Sequence, residues 1–358
     1  MDEVIRSDLE NITKDSIIED ITDGTVLITG AGGMIGSYLV HFYMYLAREK
    51  QRAMKVLALV RRGKEAEKIF GEYLEDSRFQ LIEQDVCEEL NVNVPVDCII
   101  HAASLASPKY YLKDPVGVLK PNTVGTYQLL EFARKNRVKN VLFISSGEVY
   151  GIPRNTPSAE NDYGYVDLGE VRSCYAESKR MGEVMCVSYH EQYQVPVRIA
   201  RLFHTYGPGI SLDDGRIFGD IASGVVKEKK LLLRSDGSAV RTFCYIADAV
   251  LGMMYVLYRG KAGESYNIGN GQGVCSILDL MTMISEEYGI PLKREPVREN
   301  YLPSPIKVNQ PSLEKVVSLG FCPCYSMKEG FAHMICWAKA RYSKNVKERS
   351  DNVSIGIL

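Results

Sequence analysis

The segment from Thr25 to Gly36 constrains the fold of this chain more than any other. Residues 25–29 form a short apolar run that predicts a buried strand, and it leads directly into glycines at three-residue spacing and then a helical stretch. In this context Gly30 permits a tight turn, Gly33 lets the backbone approach a pyrophosphate, and Gly36 lets the helix pack closely on the strand. The positive end of the helix also favours phosphate. The segment therefore predicts a dinucleotide site at the start of an α/β fold.

Five more short apolar runs follow, separated by helical patterns. They predict strands at 55–60, 79–84, 98–100, 140–145 and 195–201. Such alternation is typical of a parallel sheet with helices on both faces, and right-handed crossovers make it doubly wound. The expected fold class is therefore α/β, a Rossmann-type doubly wound parallel sheet with a smaller C-terminal substrate-binding lobe.

After about residue 205 the pattern changes to loops rich in Gly, Asp and Pro. A short strand is predicted at 241–246, and helices around 276–288 and 326–342. This part would form the smaller lobe over the carboxyl edge of the sheet, where open α/β folds bind ligands. We expect an N-terminal extension over 1–23, a dinucleotide-binding domain with the catalytic residues over 24–204, a mainly nucleotide-sugar-binding lobe over 205–345 and a C-terminal tail over 346–358.

Charge and cysteine content exclude several classes of partner. A formal net charge of −2 on 358 residues gives no general attraction for nucleic acid or an anionic membrane, so neither is expected. The acidic N-terminus lacks the apolar segment of a signal peptide, and no apolar run approaches the roughly 18 residues of a membrane span. Nine scattered cysteines without a CxxC pair indicate reduced thiols. We therefore expect a cytoplasmic protein without a metal site.

The end of the second predicted strand bears on the choice of cofactor. A carboxylate there would accept hydrogen bonds from the ribose of NAD, but this strand ends in Arg61 and Arg62. Arginine can hold the additional phosphate of NADP, which makes NADP an alternative cofactor. NAD is still expected, because enzymes that regenerate their own cofactor within the reaction rarely use NADP. Asp85 and Val86 follow the third strand, where a contact with adenine is common in such folds.

Tyr175 and Lys179 form a YxxxK pair one helical turn apart, after the strand at 140–145. A neighbouring ammonium lowers the pKa of a phenol, so we expect Tyr175 to accept a proton. Ser146, at the end of the neighbouring strand, could hydrogen-bond the same substrate hydroxyl. Asn122, on the intervening helix, could hold a water next to Lys179.

Five motifs then occur in a familiar order. They are TGxxGxxG at 29–36, HAAS at 101–104, NTxGT at 122–126, SSxEVYG at 145–151 and YxxxK at 175–179. In order and spacing they resemble the extended short-chain dehydrogenase/reductases, the NAD-dependent nucleotide-sugar epimerase/dehydratase family, over about residues 24–342. The resemblance implies a nucleotide-sugar substrate, tightly bound NAD(P), and a homodimer formed by helices around 110–135 and 172–192.

Within that family the chain most resembles the UDP-glucuronate decarboxylases, also called UDP-xylose synthases. The matching stretches lie around 107–111, 148–151, 172–180, 201–208, 214–216 and 241–245. In that branch the residues that match Glu148 and Arg241 act around the sugar carboxylate. Gly147 departs from the pattern, because decarboxylases carry a small polar residue there and 4,6-dehydratases an aspartate. His204 departs too, replacing an asparagine used near the diphosphate.

The residues assigned to the site fall into three groups. The catalytic group is Ser146, Glu148, Tyr175, Lys179 and Arg241. The cofactor group is Gly30, Gly33, Met34, Ile35, Gly36, Arg61, Asp85, Val86, Ala102, Ala103, Ser104, Asn122, Ser145, Tyr175, Lys179 and His204. The substrate group is Ser107, Tyr110, Tyr111, Gly147, His204, Arg216 and Arg241.

The expected reaction begins with oxidation at C4 of the sugar, where Tyr175 takes the hydroxyl proton and the nicotinamide takes hydride. A sugar with a C6 carboxylate is then a β-keto acid and loses CO₂, after which protonation and returned hydride leave no net redox change. A 4-epimerase and a 4,6-dehydratase remain open as alternatives. A non-catalytic dinucleotide-binding regulator is a third, which the intact Ser146, Tyr175 and Lys179 disfavour.

Overall fold

The computed structural model describes residues 1–296 and 304–354, with side chains as far as residue 343. Its strands are β1 (Gly24–Thr29), β2 (Met54–Val60), β3 (Phe79–Glu83), β4 (Cys98–His101), β5 (Asn140–Ser146), β6 (Val197–Leu202), β7 (Thr205–Tyr206), β8 (Leu231–Leu233), β9 (Val240–Thr242), β10 (Cys244–Tyr245), β11 (Ser265–Ile268), β12 (Val274–Ser276), β13 (Leu292–Arg294) and β14 (Val308–Asn309). Its helices are α1 (Glu3–Ile12), α2 (Ile17–Asp20), α3 (Met34–Arg48), α4 (Gly63–Phe70), α5 (Lys109–Lys113), α6 (Pro115–Lys120), α7 (Thr126–Asn136), α8 (Ser173–Tyr193), α9 (Ile217–Ser223), α10 (Ile246–Arg259), α11 (Ile277–Tyr288), α12 (Glu314–Val317) and α13 (Met327–Ser354).

A seven-stranded parallel sheet with the order β11-β6-β5-β4-β1-β2-β3 forms the centre of the structure. Side chains alternate between its faces, so Val26 and Ile28 of β1 join one hydrophobic cluster while Leu27 joins the other. The first cluster includes α3 and α10, and the second includes α7 and α8. The six predicted strands and the Rossmann-type fold class are confirmed, with strand ends displaced by at most two residues.

The seventh strand, β11, belongs to the part of the chain predicted as the C-terminal lobe. It pairs with β6, and α10, which precedes it, packs on the same sheet. Residues 246–268 thus return to the central sheet after the predicted boundary at 204/205. Three small sheets, β7–β10, β12–β9–β14 and β8–β13, lie within the rest of that lobe.

The strand predicted at 241–246 is found as β9 and β10, separated at Phe243, whose amide donates to the Gly273 carbonyl at 2.8 Å. The helices predicted around 276–288 and 326–342 are found as α11 and α13. Of the predicted tail 346–358, residues 355–358 lie outside the described residues. Although α13 has 28 residues, no helix in the described part of the chain is apolar and long enough to cross a membrane.

The N-terminal extension packs into the core through α1, an amphipathic helix with Ile5, Leu9 and Ile12 buried on one face. Asp8 on the same helix is fully buried. Its carboxylate accepts hydrogen bonds from Tyr38 at 3.0 Å and Tyr245 at 2.5 Å, and it pairs with His333 at 2.7 Å. The carboxylate therefore joins α1 to α3, to β10 and to α13. We call this cluster the Asp8 hub.

Candidate active site

A cleft of about 1240 Å³ runs along the carboxyl edge of the central sheet. It extends from the ends of β2 and β3, past the glycine-rich loop and the end of β5, to β8 and the segment 304–309. Every residue that the sequence assigned to the site lines this cleft except Asn122. The motifs, which are spread over more than 200 positions, therefore meet in one place.

The loop after β1 needs its glycines for steric reasons. Gly30 has φ +63°, and a Cβ there would lie 2.5 Å from the Ala103 Cα. A Cβ on Gly36 would overlap the Gly30 carbonyl oxygen, and one on Gly33, the residue that caps α3, would lie 3.3 Å from that oxygen. Nearby, the buried hydroxyl of Ser104 has no hydrogen-bond partner among the described residues. A bare backbone at a helix N-terminus beside an unused hydroxyl fits a dinucleotide pyrophosphate.

At the other side of this loop, Arg61 and Arg62 line the cleft directly after β2. The exposed Arg62 pairs with Glu65 at 3.2 Å. Asp85 lines the cleft after β3, and its side chain accepts a hydrogen bond from the Cys87 amide at 2.9 Å. Both predicted features, arginines after β2 and an acid after β3, thus face the same end of the cleft.

Tyr175, Ser146 and Lys179 come together at the middle of the cleft. Burial raises the pKa of Tyr175 to about 12, and a hydrogen bond with the Ser146 hydroxyl partly opposes this shift. Lys179 donates to the Ile144 carbonyl at 2.7 Å, and burial lowers its pKa to about 7 although Glu183 acts in the opposite direction. The expected lowering of the Tyr175 pKa by Lys179 is not found, because burial of the phenol has the largest effect on it.

Asn122 is fully buried behind the cleft, on the π-helical turn between α6 and α7. Its amide donates to the Val118 carbonyl and to the Ser178 hydroxyl, both at 3.0 Å. Its side-chain oxygen has no partner among the described residues. Asn122 thus lies on the π-helical turn that packs against α8 and does not line the cleft, and its contact with the cofactor stays a prediction.

An ion pair that the sequence did not reveal supports this region. Arg201 on β6 binds the Glu183 carboxylate through contacts of 2.6 to 3.2 Å, and the Ser145 hydroxyl donates to the same carboxylate at 2.5 Å. All three side chains are buried. The pair therefore fixes α8, which carries Tyr175, against the end of β5.

The sugar-facing side of Tyr175 is built from aromatic and charged groups. The Tyr111 ring stacks on the Tyr175 ring, and the Arg172 guanidinium lies over the Tyr111 ring at 5.6 Å from its centroid. Arg172 also pairs with the Glu148 carboxylate at 3.4 Å. Arg216 is held by an ion pair with Asp214, whose carbonyl oxygen accepts from Ser107. Tyr110 lines the same stretch of the cleft.

His204 and Arg241 lie beside each other farther along the cleft. Burial, and then the neighbouring Arg241 and Arg216, lower the pKa of His204 to about 3, so its imidazole is neutral. The buried Nδ1 has no partner among the described residues, and the backbone has φ +27°. Arg241 donates to the Val240, Ile306 and Lys307 carbonyls at 2.8 to 3.1 Å. Arg241 therefore holds the segment that covers this part of the cleft.

Gly147 packs directly against Phe203. A Cβ at this position would lie 2.6 Å from the Phe203 ring, closer than real Cβ atoms approach another atom. No side chain can therefore occupy this position unless Phe203 moves.

Several cleft residues were missed by the sequence reasoning. Arg172 stands in one of the matched stretches, but only its contact with Glu148 assigns it to the site. The polar run after β8 had a usable signal, since it follows an apolar strand in the substrate lobe: Arg234, Ser235, Asp236 and Ser238.

Comparison with known proteins identifies one family of enzymes that modify nucleotide sugars. Residues 26–269 match the model of the NAD dependent epimerase/dehydratase family. The chain is 34% identical to UDP-glucuronic acid decarboxylase 6 of Arabidopsis thaliana, over 86% of this chain and 87% of that protein.

Among solved structures, the UDP-glucuronic acid 4-epimerase of Bacillus cereus with UDP-glucuronic acid and NAD is 25% identical, with a TM-score of 0.76 over 89% of this chain and all of that chain. The dTDP-glucose 4,6-dehydratase DesIV of Streptomyces venezuelae, also with NAD bound, is 25% identical, with a TM-score of 0.75 over 88% of this chain and 97% of that chain. A decarboxylase, an epimerase and a dehydratase all share this fold.

Proposed function

The chain belongs to the NAD dependent epimerase/dehydratase family, and we propose that it decarboxylates a UDP-linked hexuronate, UDP-glucuronate above all. It is an enzyme that modifies nucleotide sugars, with NAD as its cofactor. The observation that carries the choice among the family's reactions is the group of arginines in the cleft around Glu148, and the packing of Phe203 against Gly147 adds an argument against dehydration.

A 4,6-dehydratase needs an acid that protonates the leaving C6 hydroxyl. Relatives of that type place an aspartate at the position of Gly147, where this chain has no room for a side chain. Glu148 is the nearest acid along the chain, and its carboxylate is already paired with Arg172 at 3.4 Å. This arrangement disfavours dehydration.

A 4-epimerase is disfavoured less strongly. It needs only space for the keto sugar to turn, whereas decarboxylation needs groups that manage the charge of a carboxylate. The cleft offers such groups on the sugar-facing side of Tyr175, namely Arg172, Arg216, Arg241 and Glu148. The decarboxylase of Arabidopsis, 34% identical over most of both chains, supports the same choice.

NAD held by the glycine-rich loop and the residues after β2 and β3 would supply the reversible redox chemistry at C4 of the sugar. Tyr175 would accept the C4 hydroxyl proton as its phenolate, with the Ser146 hydroxyl beside it. Lys179 lies one helical turn beyond Tyr175 and supplies positive charge when protonated, which favours the phenolate. The C5–C6 bond of the resulting β-keto acid breaks, CO₂ leaves, and the electron pair passes to the enolate. Glu148 is placed to act at C5, where a proton must be added.

The direct test is incubation of the purified protein with a panel of nucleotide sugars, with products read by mass. The proposal expects loss of one CO₂ from UDP-glucuronate and no change in neutral hexose nucleotides. Epimerisation of a neutral hexose nucleotide with no decarboxylation of any hexuronate would refute the decarboxylase assignment and leave family membership intact.

We also propose a homodimer. Apolar side chains are exposed on the helical layer formed by α6, α7 and α8, including Val116 at 58%, Tyr127 at 48% and Val184 at 59%. Exposed apolar side chains on neighbouring helices are typical of an interface, and the family resemblance implies the same helices. Light scattering should give twice the chain mass, and Val184→Asp should shift it towards a monomer. A monomeric wild type at working concentration would contradict this proposal.

A cytoplasmic location is the last part of the proposal. All nine cysteines are free thiols, and several of them are exposed, including Cys322, Cys324 and Cys336. Exposed thiols persist in a reducing compartment. Fractionation that recovers the protein outside the cytoplasm would contradict it.

A further inference from the structure

Among the arginines that line the sugar-facing part of the cleft, Arg241 and Arg172 are held very differently. Arg241 is 8% exposed, and its guanidinium donates to three backbone carbonyls, those of Val240, Ile306 and Lys307. These bonds tie β9 to the segment 306–307. Most of the donors of Arg241 are thus already used within the protein.

Arg172 makes fewer hydrogen bonds within the protein than Arg241 does. Its side chain is 13% exposed, and one nitrogen, Nη2, makes a long contact of 3.4 Å with the Glu148 carboxylate. Within the described part of the chain, Nε and Nη1 make no further hydrogen bond. Because Arg172 lines the cleft and these donors are not buried, they are available to a ligand there.

The position of Arg172 is fixed relative to the reacting phenol. It precedes the first residue of α8 and stands three residues before Tyr175. Its guanidinium lies over the Tyr111 ring, which in turn stacks on the Tyr175 ring. A sugar whose C4 hydroxyl reaches Tyr175 carries its C6 carboxylate only two bonds from C4, and therefore in the neighbourhood of this cation.

We propose that Arg172 is the residue that recognises the carboxylate of the hexuronate, and so selects a uronate over a neutral hexose. The inference rests on the proposed function, since it presupposes a hexuronate substrate. Arginine binds carboxylates through two parallel N–H donors. Nη2 of Arg172 carries two N–H groups and contacts Glu148 through one of them, so the other N–H, together with the neighbouring Nε or Nη1, forms a pair that the protein does not use.

The contact of Arg172 with Glu148 also affects how strongly the substrate carboxylate is held. A carboxylate held by Arg172 lies beside another carboxylate on the same guanidinium, and like charges at such distances repel. Loss of neutral CO₂ removes one of the two charges. Arg172 therefore binds the substrate carboxylate without the full stability of an isolated bidentate pair, which would oppose cleavage of the C5–C6 bond.

Binding measurements separate this role from a purely structural one. In a Tyr175→Phe background, which leaves the substrate intact, affinities are measured for UDP-glucuronate and for UDP-glucose, which has a neutral CH₂OH in place of the carboxylate. Arg172→Met should weaken UDP-glucuronate binding by about tenfold or more, the effect of losing a charged hydrogen bond. Binding of UDP-glucose should change by less than about twofold, because nothing in it requires the guanidinium.

The matched control is Lys109→Met, which removes a positive charge from the same cleft but not the contact with Glu148. It should affect both ligands alike. Arg172→Lys keeps the positive charge and controls for loss of the fold. Compared with Arg172→Met, it should restore part of the preference for UDP-glucuronate over UDP-glucose. Equal weakening of both ligands by Arg172→Met, or an unchanged preference, would overturn the inference. A wild type that neither prefers nor decarboxylates UDP-glucuronate would instead overturn the proposed function.

Discussion

The Tyr111 ring lies nearly parallel to the Tyr175 ring, with 5.3 Å between the centroids and 15° between the planes. Tyr111 is buried, and its hydroxyl donates to the Ala106 carbonyl at 3.0 Å. The stack fixes the plane of the Tyr175 ring, and the Ser146 hydroxyl lies close enough to lower the pKa of the phenol. A fixed ring favours proton transfer between the phenol and a bound sugar.

Tyr175→Phe should keep the fold and the bound cofactor but lower turnover by at least about a hundredfold, the usual effect of removing a general acid–base group. Tyr111→Phe is the matched control, because it keeps the stacked ring and loses only a hydroxyl. It should retain most of the activity. Near-normal turnover of the Tyr175→Phe enzyme would remove this phenol from the mechanism.

Gly33→Val should abolish retention of NAD, because the added side chain would occupy the space where the backbone approaches the pyrophosphate. Gly32→Ala is the control, since a Cβ there meets only the Val60 side chain, at 3.9 Å. The measurement is the amount of dinucleotide released on denaturation of the purified proteins. Equal amounts from the two variants would contradict the placement of the cofactor.

Glu148→Gln should still reduce the bound cofactor when UDP-glucuronate is added but should form little decarboxylated product. The reason is that, in the proposed mechanism, C4 oxidation depends on Tyr175 and Glu148 acts only at C5. Glu170→Gln, a change on an exposed loop residue nearby, should behave as wild type. Absorbance of the reduced nicotinamide and product mass are read together. Normal product formation by Glu148→Gln would exclude a chemical role.

The sequence predicted the elements whose burial is visible in local patterns. β1 to β6 are runs of apolar residues, and they were found. β11 was missed because Ser265 and Asn267 interrupt its apolar character, and its pairing with β6 depends on tertiary contacts. The site residues that the motifs indicated, except Asn122, line one cleft in the structure.

Contacts between distant segments could not be predicted. The packing of Phe203 against Gly147 and the pairing of Arg172 with Glu148 each depend on how the chain folds back on itself. The pKa of Tyr175 was wrongly expected to fall, because the sequence reveals the neighbouring lysine but not the burial that raises the pKa.

The Asp8 hub should contribute strongly to stability. Asp8→Asn keeps the shape of the side chain but removes a buried negative charge with three partners, so we expect unfolding free energy to fall by about 3 kcal/mol. Glu10→Gln, an exposed change on the same helix, should alter it by less than about 0.5 kcal/mol. Urea unfolding compares the two variants, and equal midpoints would mean that the hub contributes nothing.

Buried histidines should make the protein sensitive to acid. Burial lowers the pKa of His41 to about 4 and those of His101 and His204 to about 3. Below pH 6.5 the unfolded chain binds protons that the folded chain does not, so each histidine lowers stability by about 1.4 kcal/mol per pH unit as the pH falls towards its folded-state pKa. Asp248, whose pKa burial raises to about 7, binds its proton first in the folded state and offsets part of this loss.

His41→Asn should therefore reduce the slope of unfolding free energy against pH by about one proton between pH 6 and pH 4.5, whatever its effect at neutral pH. Urea unfolding at several pH values gives that slope. Parallel curves for the variant and the wild type would show that His41 takes up its proton in the folded state as readily as in the unfolded state.

The central claim is tested most directly with UDP-glucuronate labelled with ¹³C at C6, incubated with the purified protein without added cofactor and followed by ¹³C NMR. We expect the carboxylate signal to disappear and the label to accumulate as CO₂ and bicarbonate, with a UDP-pentose as the other product and no signal change for Tyr175→Phe. A label that stays in the sugar, in a wild-type protein that retains NAD, would contradict the assignment.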